Sequence, residues 1–258
     1  MSGERSGVLE DVTLVQYALV AAVALFAAVI GGVAGYGGGL LLPPILVPII
    51  GPEAVVPVLS LAALLTNASR LLAFRSEFQF RRALFVSLCA LPTCLLGAWG
   101  YTLLTGPWVA VLIGAMLIVL VPVRRVLTRL HGHLGVPGVA AASVGYGLLV
   151  GGTSGSGVIL ISILLAAGLE GRAVIATDCG ISLVLGIVKS IVFQTAGALP
   201  PSSWVMALLI GTAATPGAFI ARSLTRSLSV KAHGYLLDGV VVFGGTLLVV
   251  EGVRHLAR

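Results

Sequence analysis

Long apolar runs dominate this sequence and limit what it can fold into. Crossing a bilayer takes about 20 apolar residues in a helix, and only helices and closed barrels satisfy their backbone in hydrocarbon. The runs are continuous rather than alternating, which favours helices over a barrel. Ten runs are present: Leu14–Ile30, Leu40–Ile50, Ala54–Phe74, Ala83–Leu104, Trp108–Val123, Val136–Val150, Val158–Leu169, Ala173–Thr195, Trp204–Ala221 and Tyr235–Val250.

The chain carries too little charge to cover a soluble domain. Charged residues make up 9% of it and its mean hydropathy is +1.13, whereas soluble domains carry about 25% charged residues. We therefore expect an all-α polytopic protein of the cytoplasmic membrane, with eight to ten segments and the lipid bilayer as its solvent. The net charge of +6 does not indicate nucleic acid, because the basic residues lie in short loops that set orientation. The three cysteines lack ligand spacing, and the sequence predicts neither a metal site nor a cofactor.

A shift of 120 positions aligns one half of the sequence with the other without a gap. Gly35 then falls on Gly155 and Gly37 on Gly157. The further glycine pairs are Gly51 with Gly171, Gly97 with Gly217 and Gly114 with Gly234. Apolar coincidences are frequent in such a chain, but glycines in register are not. We predict one membrane domain, residues 1–258, whose two homologous halves, 14–123 and 136–252, are joined by a basic cytoplasmic connector, 124–135.

Equivalent loops of the two halves differ in charge. The loop Arg75–Arg82 is basic and its counterpart at 195–202 is neutral, whereas the loop at 222–231 is basic and its counterpart at 102–107 is neutral. Basic loops stay cytoplasmic, so equivalent loops are expected on opposite sides. This favours an inverted repeat of five crossings per half, an architecture common in secondary transporters. The alternative is a parallel repeat of four crossings per half.

Two glycine clusters, Gly31–Gly39 and Gly151–Gly157, interrupt apolar runs at equivalent places. Glycine costs about 1 kcal/mol in a helix interior, and broken helices in transporters direct their positive N-termini at anions. The alternative is close helix packing through small residues. We predict broken helices at both clusters and an anion site that includes Gly35, Tyr36, Gly37, Gly38, Gly39, Thr153, Ser154, Gly155, Ser156 and Gly157.

Two charged residues lie inside the run Ala173–Thr195. A central lysine costs about 2.5–3.5 kcal/mol in a membrane, so Lys189 is expected either to neutralise a bound anion or to pair with another helix, for example through Asp238. Asp178 and Ser182 share its helix face, but Asp178 lies ~16 Å from Lys189, too far for an ion pair. Asp178, Ser182 and Asp238 are candidates for coupling or gating, and the alternative for Asp238 is an interfacial carboxylate near Lys231.

A third charged residue, Arg70, lies in the first half. It follows Ser69, the counterpart of Lys189, and shares a helix face with Asn67 because the two are three positions apart. We predict both as anion ligands of the first half. The alternative for Arg70 is a side chain that extends to the cytoplasmic boundary.

The glycine motif of the first half resembles that of a known transporter family. Gly35–Gly39 followed five residues later by Pro44, together with the arginine-rich segment Asn67–Arg82, is similar to the TauE/SafE sulfite exporter family, also called the 4-toluene sulfonate uptake permease family. The resemblance covers nearly the whole chain and implies transport of small sulfur oxyanions or organosulfonates. The second half departs from the motif, with Ser156 in place of a glycine and Leu164 at the counterpart of Pro44.

The expected function is that of a secondary transporter, not an enzyme. It would move a small sulfur-containing anion, sulfite or an organosulfonate, with export as the favoured direction and without a nucleic-acid partner. The sequence has no phosphate-binding loop, so energy from ATP would have to come from a separate subunit. One alternative is a passive anion channel. Another is an intramembrane serine hydrolase built on Gly152–Gly155, although no histidine lies within an apolar run to act as its base. Exposed small-residue faces would allow a homodimer.

Overall fold

The computed structural model describes residues 13–34, 38–104, 106–127, 134–224 and 230–256, which form α-helices and no β-strand. The all-α prediction is confirmed, and every apolar run falls on a helix or, for Leu40–Ile50, on two. A short 3-10 turn, Arg75–Glu77, precedes the fifth helix. The helices are α1 (Leu14–Ala34), α2 (Gly38–Leu41), α3 (Pro43–Ile50), α4 (Pro52–Ala73), α5 (Phe80–Thr102), α6 (Gly106–Leu127), α7 (Val136–Gly152), α8 (Gly157–Ala166), α9 (Gly171–Thr195), α10 (Pro201–Leu224) and α11 (Val230–Leu256).

Several of these helices have the length and apolarity to cross a membrane. Within the described residues, four qualify by length and composition: α4, α5, α9 and residues 106–123 of α6. Parts of α1, together with α7 and α8, are shorter apolar helices, and α10 and α11 are 24 and 27 residues long. The chain is therefore a multi-pass membrane protein; the number of crossings stays a prediction.

The second glycine cluster breaks a helix, within narrower bounds than predicted, and the first lies between the described ends of α1 and α2. The first helix, α1, continues through Gly31 and Gly32 to Ala34 despite the low helix propensity of glycine. Positions 35–37 lie outside the described residues. The second break is confined to Thr153–Ser156, between α7 and α8. In the predicted connector, α6 extends to Leu127, and positions 128–133 lie outside the described residues.

Helix packing follows the proposed repeat. The 120-residue shift exchanges α1 with α7, α4 with α9, α5 with α10 and α6 with α11. The main contacts exchange in the same way, because α5 packs on α7 as α10 packs on α1, and α5 packs on α9 as α10 packs on α4. The two remaining large contacts, α4 with α9 and α6 with α11, join equivalent helices of the two halves.

The contact between α4 and α9 is antiparallel. Leu64 of α4 lies against Gly186 of α9. Arg70, further along α4, lies near Asp178, which comes earlier on α9. The two equivalent helices therefore run in opposite directions where they meet.

The contact between α6 and α11 is also antiparallel. Val111 lies against Gly252, whereas Ile118, later on α6, lies against Gly245, earlier on α11. A two-fold axis in the membrane plane makes equivalent neighbouring helices antiparallel, whereas an axis along the membrane normal leaves them parallel. Both contacts support the inverted repeat, which we retain as a proposal.

The apolar core has two parts that meet at α9. One joins residues of α1, α3, α4, α6 and α10 and includes Phe193 of α9; the other joins α5, α7 and α8 and includes Ile181 and Leu185 of α9. Leu59 from the first part and Tyr146 from the second line one shared cavity. The cavity thus lies between the two parts of the core.

Candidate functional site

The two glycine clusters are in direct contact. The Ser154 hydroxyl donates a hydrogen bond to the Gly39 carbonyl at 3.0 Å. A Cβ on Gly39 would lie only 2.6 Å from the Gly155 Cα, and Gly155 has a φ of +84°, which favours glycine. The close approach therefore requires glycine on both sides.

The two breaks offer different groups to a ligand. The second break is followed by α8, ten residues long, and its N-cap residue Ser156 makes no side-chain capping bond to that helix. The first backbone amides of α8 are free donors at the positive end of its helix dipole. After the first cluster come the four-residue α2 and then α3, which begins with Pro43 and Pro44. Prolines have no N–H to donate, so the N-terminus of α3 offers fewer amides than that of α8.

A cavity of about 210 Å³ lies where the glycine clusters meet. This is below the ~300–1,000 Å³ of sites for drug-sized ligands, and it suits a small solute. The predicted site residues that line it are Gly39, Asn67, Arg70, Thr153, Ser154, Gly155, Ser156, Gly157, Asp178, Ser182 and Lys189.

The other predicted site residues are not placed at the cavity. Gly35, Tyr36 and Gly37 lie outside the described residues, and Gly38 begins α2. The side chain of Asp238, in α11, also lies outside the described part of the chain. Proximity alone does not assign a ligand-binding role, so the roles of all predicted site residues remain proposals.

Three described residues of the cavity lining carry a formal charge: Arg70, Asp178 and Lys189. The side chains of Asp178 and Lys189 are 8% and 7% exposed. The Asp178 Oδ1 atom is buried without a hydrogen-bond partner. Arg70 is close enough to attract the carboxylate electrostatically, yet the two do not form an ion pair.

Lys189 contacts the end of the broken helix. Its ammonium donates hydrogen bonds to the carbonyls of Val150 at 3.0 Å and Thr153 at 3.2 Å. Carbonyls at a helix C-terminus lack partners within the helix and carry the negative end of its dipole. Lys189 therefore stabilises the C-terminus of α7 while it also lines the cavity. Sequence reasoning considered an anion or a side chain as its partner and missed the backbone.

Sequence reasoning also missed Tyr146, Ser60 and Thr66, which line the cavity. Tyr146 is 2% exposed, and its hydroxyl interacts with those of Ser156 and Ser182. A tyrosine inside an apolar run needs a partner for its hydroxyl, and that signal could have identified it. Ser60 and Thr66 donate to backbone carbonyls of their own helix, a common arrangement that gives no functional signal.

The chemistry of a serine hydrolase has little support at this site. The Ser154 hydroxyl donates to a backbone carbonyl, and no histidine is among the described residues that line the cavity. In the same part of the chain, no group of histidine, cysteine and carboxylate side chains is suited to a metal ion. What the described lining residues present is a small cavity with two cations, one carboxylate and several hydroxyls.

Comparison with known proteins gives one match. The family model described as "Sulfite exporter TauE/SafE" matches residues 20–248, which is most of the chain. Neither a curated protein nor a solved structure matches the chain.

Proposed function

Because the chain belongs to the sulfite exporter TauE/SafE family, we propose that it is a secondary transporter that carries sulfite or an organosulfonate across the cytoplasmic membrane. The observation that carries this proposal is the charged cavity at the contact between the two glycine clusters. Family membership supports sulfur-anion export in general, and the chemistry of the cavity supports a small anion as its occupant.

Charge and size both suit such an occupant. Arg70 and Lys189 outnumber Asp178, so the formal charge of the described lining is positive. A guanidinium can bind two oxygens of an oxyanion at once, and the amides of Ser156 and Gly157 lie at the positive end of α8. In the proposed complex, Arg70 and Asn67 bind the anion from α4, while the second break binds it from the opposite side.

The membrane potential can drive export without a coupling ion. A monoanion that leaves a cytosol at about −100 mV gains roughly 2.3 kcal/mol. Since about 1.4 kcal/mol corresponds to a factor of ten, this supports a concentration ratio of about fifty. Uptake would instead need coupling to a cation.

Reconstituted protein tests the proposal directly. Purified protein in liposomes with a set potential is expected to move radiolabelled sulfite, thiosulfate or methanesulfonate with saturation and counterflow. A passive channel shows no counterflow, and a protein that moves none of these anions contradicts the proposed function.

One pair of variants tests the site. Arg70→Gln removes a charged donor from the cavity, whereas Arg75→Gln removes an exposed charge from the 3-10 turn. A hydrogen bond to a charged group contributes about 1.5–3 kcal/mol, so Arg70→Gln is expected to raise KM about 10- to 100-fold. Equal effects of the two substitutions would show that Arg70 acts only as a surface charge.

A further inference from the structure

The net charge of the three charged groups described at the cavity can take two values. An arginine stays protonated in proteins, and the Lys189 ammonium is held by two carbonyl oxygens. With Asp178 ionised, the three groups sum to one positive charge. With Asp178 protonated, they sum to two. Asp178 is therefore the group whose protonation sets the charge that meets the anion.

The surroundings of Asp178 suit a carboxyl that changes protonation state. It faces Arg70 from α4 and Tyr146 from α7, and Cys179 is its neighbour on α9. Its Oδ1 atom has no hydrogen-bond partner, so the ionised form is incompletely satisfied. A partly satisfied buried charge is costly, and a second negative charge in the same cavity adds repulsion that a proton on the carboxyl removes.

The carboxylate is present in one half of the protein only. Position 58, the counterpart of Asp178 under the 120-residue shift, is Val58, which is fully buried. The described part of the cavity lining contains Asp178 as its sole acidic side chain. Among the described lining residues, one carboxyl is therefore available to take up a proton per bound anion.

We propose that Asp178 keeps the transported load at one negative charge: a monoanion binds beside the ionised carboxylate, and a dianion binds together with one proton on Asp178. In both cases the anion neutralises the cavity. The proton comes from water on the side where the dianion enters and returns to water where it leaves. This inference rests on the proposed function, because it requires that the anion occupies this cavity.

Methanesulfonate and thiosulfate form a matched pair for the test. Both present an SO₃ group, and they differ in that a methyl group replaces a negatively charged sulfur. The wild-type protein is reconstituted in liposomes that contain a pH-sensitive dye, and the membrane potential is clamped with potassium and valinomycin. We expect one proton to enter the liposome per thiosulfate and none per methanesulfonate. The charge moved per anion is expected to be the same for both.

Variants of Asp178 assign the proton to its carboxyl. Asp178→Asn is expected to lower the ratio from one proton per thiosulfate to none, and Asp178→Glu is expected to restore it to one. Glu77→Gln, a carboxyl-to-amide change at an exposed position of the 3-10 turn, is expected to leave the ratio at one. If Asp178→Asn does not transport, a wild-type or Asp178→Glu ratio other than one proton per thiosulfate still overturns the inference.

Several outcomes overturn the inference and leave the proposed function standing. These are thiosulfate flux without a proton, methanesulfonate flux with one, transport of only one of the two anions, and an unchanged ratio in an active Asp178→Asn protein. Absence of flux for every anion contradicts the proposed function instead.

Discussion

Removal of the Lys189 ammonium is expected to destabilise the junction between α7 and α8. Lys189→Met keeps an aliphatic stem but loses the hydrogen bonds to the carbonyls of Val150 and Thr153, at 3.0 and 3.2 Å. Two hydrogen bonds to a charged donor contribute about 3–6 kcal/mol. Part of this is offset because the variant no longer buries an ammonium, and because Thr153 lines a cavity where water can reach the freed groups. We therefore expect a net loss of about 2–3 kcal/mol.

Thermal unfolding in detergent measures this loss. In a chain of this size about 1 kcal/mol shifts Tm by 2–4 °C, so Lys189→Met is expected to lower Tm by about 4–12 °C. The matched control is Ser190→Ala, because Ser190 is the next residue on α9, is similarly buried and has a hydroxyl without a partner. Removal of an unpaired hydroxyl breaks no hydrogen bond, so the Tm of the control is expected to stay within about 2 °C of the wild-type value. If the Lys189→Met shift is no larger than that of the control, the ammonium does not hold the helix end.

Two further pairs of variants test the contacts around the breaks. Gly39→Ala places a Cβ 2.5 Å from the Gly155 amide nitrogen, so it is expected to destabilise the protein by about 1–3 kcal/mol and to reduce anion flux. In the control, Gly100→Ala, the Cβ meets nothing within 4 Å, so the substitution is expected to stabilise α5 by up to about 1 kcal/mol. Shifts of the same sign in Tm for the two variants would contradict this reasoning. Arg82 donates a 2.7 Å hydrogen bond to a carbonyl at the C-terminal end of α8, so Arg82→Gln is expected to lower the free energy of unfolding by about 1 kcal/mol. The control Arg81→Gln is expected to leave it unchanged, and an equal loss in both variants would contradict this role of Arg82.

Much of the fold could be predicted because its causes are local. A continuous apolar run in a membrane protein has to be helical, since its backbone has no other partner, and this placed the helices. A cluster of glycines and hydroxyl residues breaks such a run only where protein or water satisfies the backbone, and this placed the break at Thr153–Ser156. The exact end of α1 could not be predicted, because the low helix propensity of Gly31 and Gly32 is a weak local signal that tertiary context overrides.

Part of the candidate site could also be predicted from the sequence. Helical periodicity alone places Asp178, Ser182 and Lys189 on one face of α9 and Asn67 and Arg70 on one face of α4. The structure brings both faces to one cavity. Sequence could not supply the facing direction of the two helices, because that depends on contacts such as Leu64 with Gly186, between residues far apart in the chain.

The sequence by itself determined which residues had to find a partner: a buried lysine, a buried carboxylate, a buried tyrosine hydroxyl and the unpaired backbone of two broken helices. Only the tertiary structure decided which partners they found. Lys189 bonds to carbonyls of α7, Tyr146 faces Ser156 and Ser182, and Asp178 Oδ1 is left without a partner. The reason is that the need for a hydrogen bond is a property of each residue and its burial, whereas its satisfaction depends on the antiparallel packing that brings distant helices together.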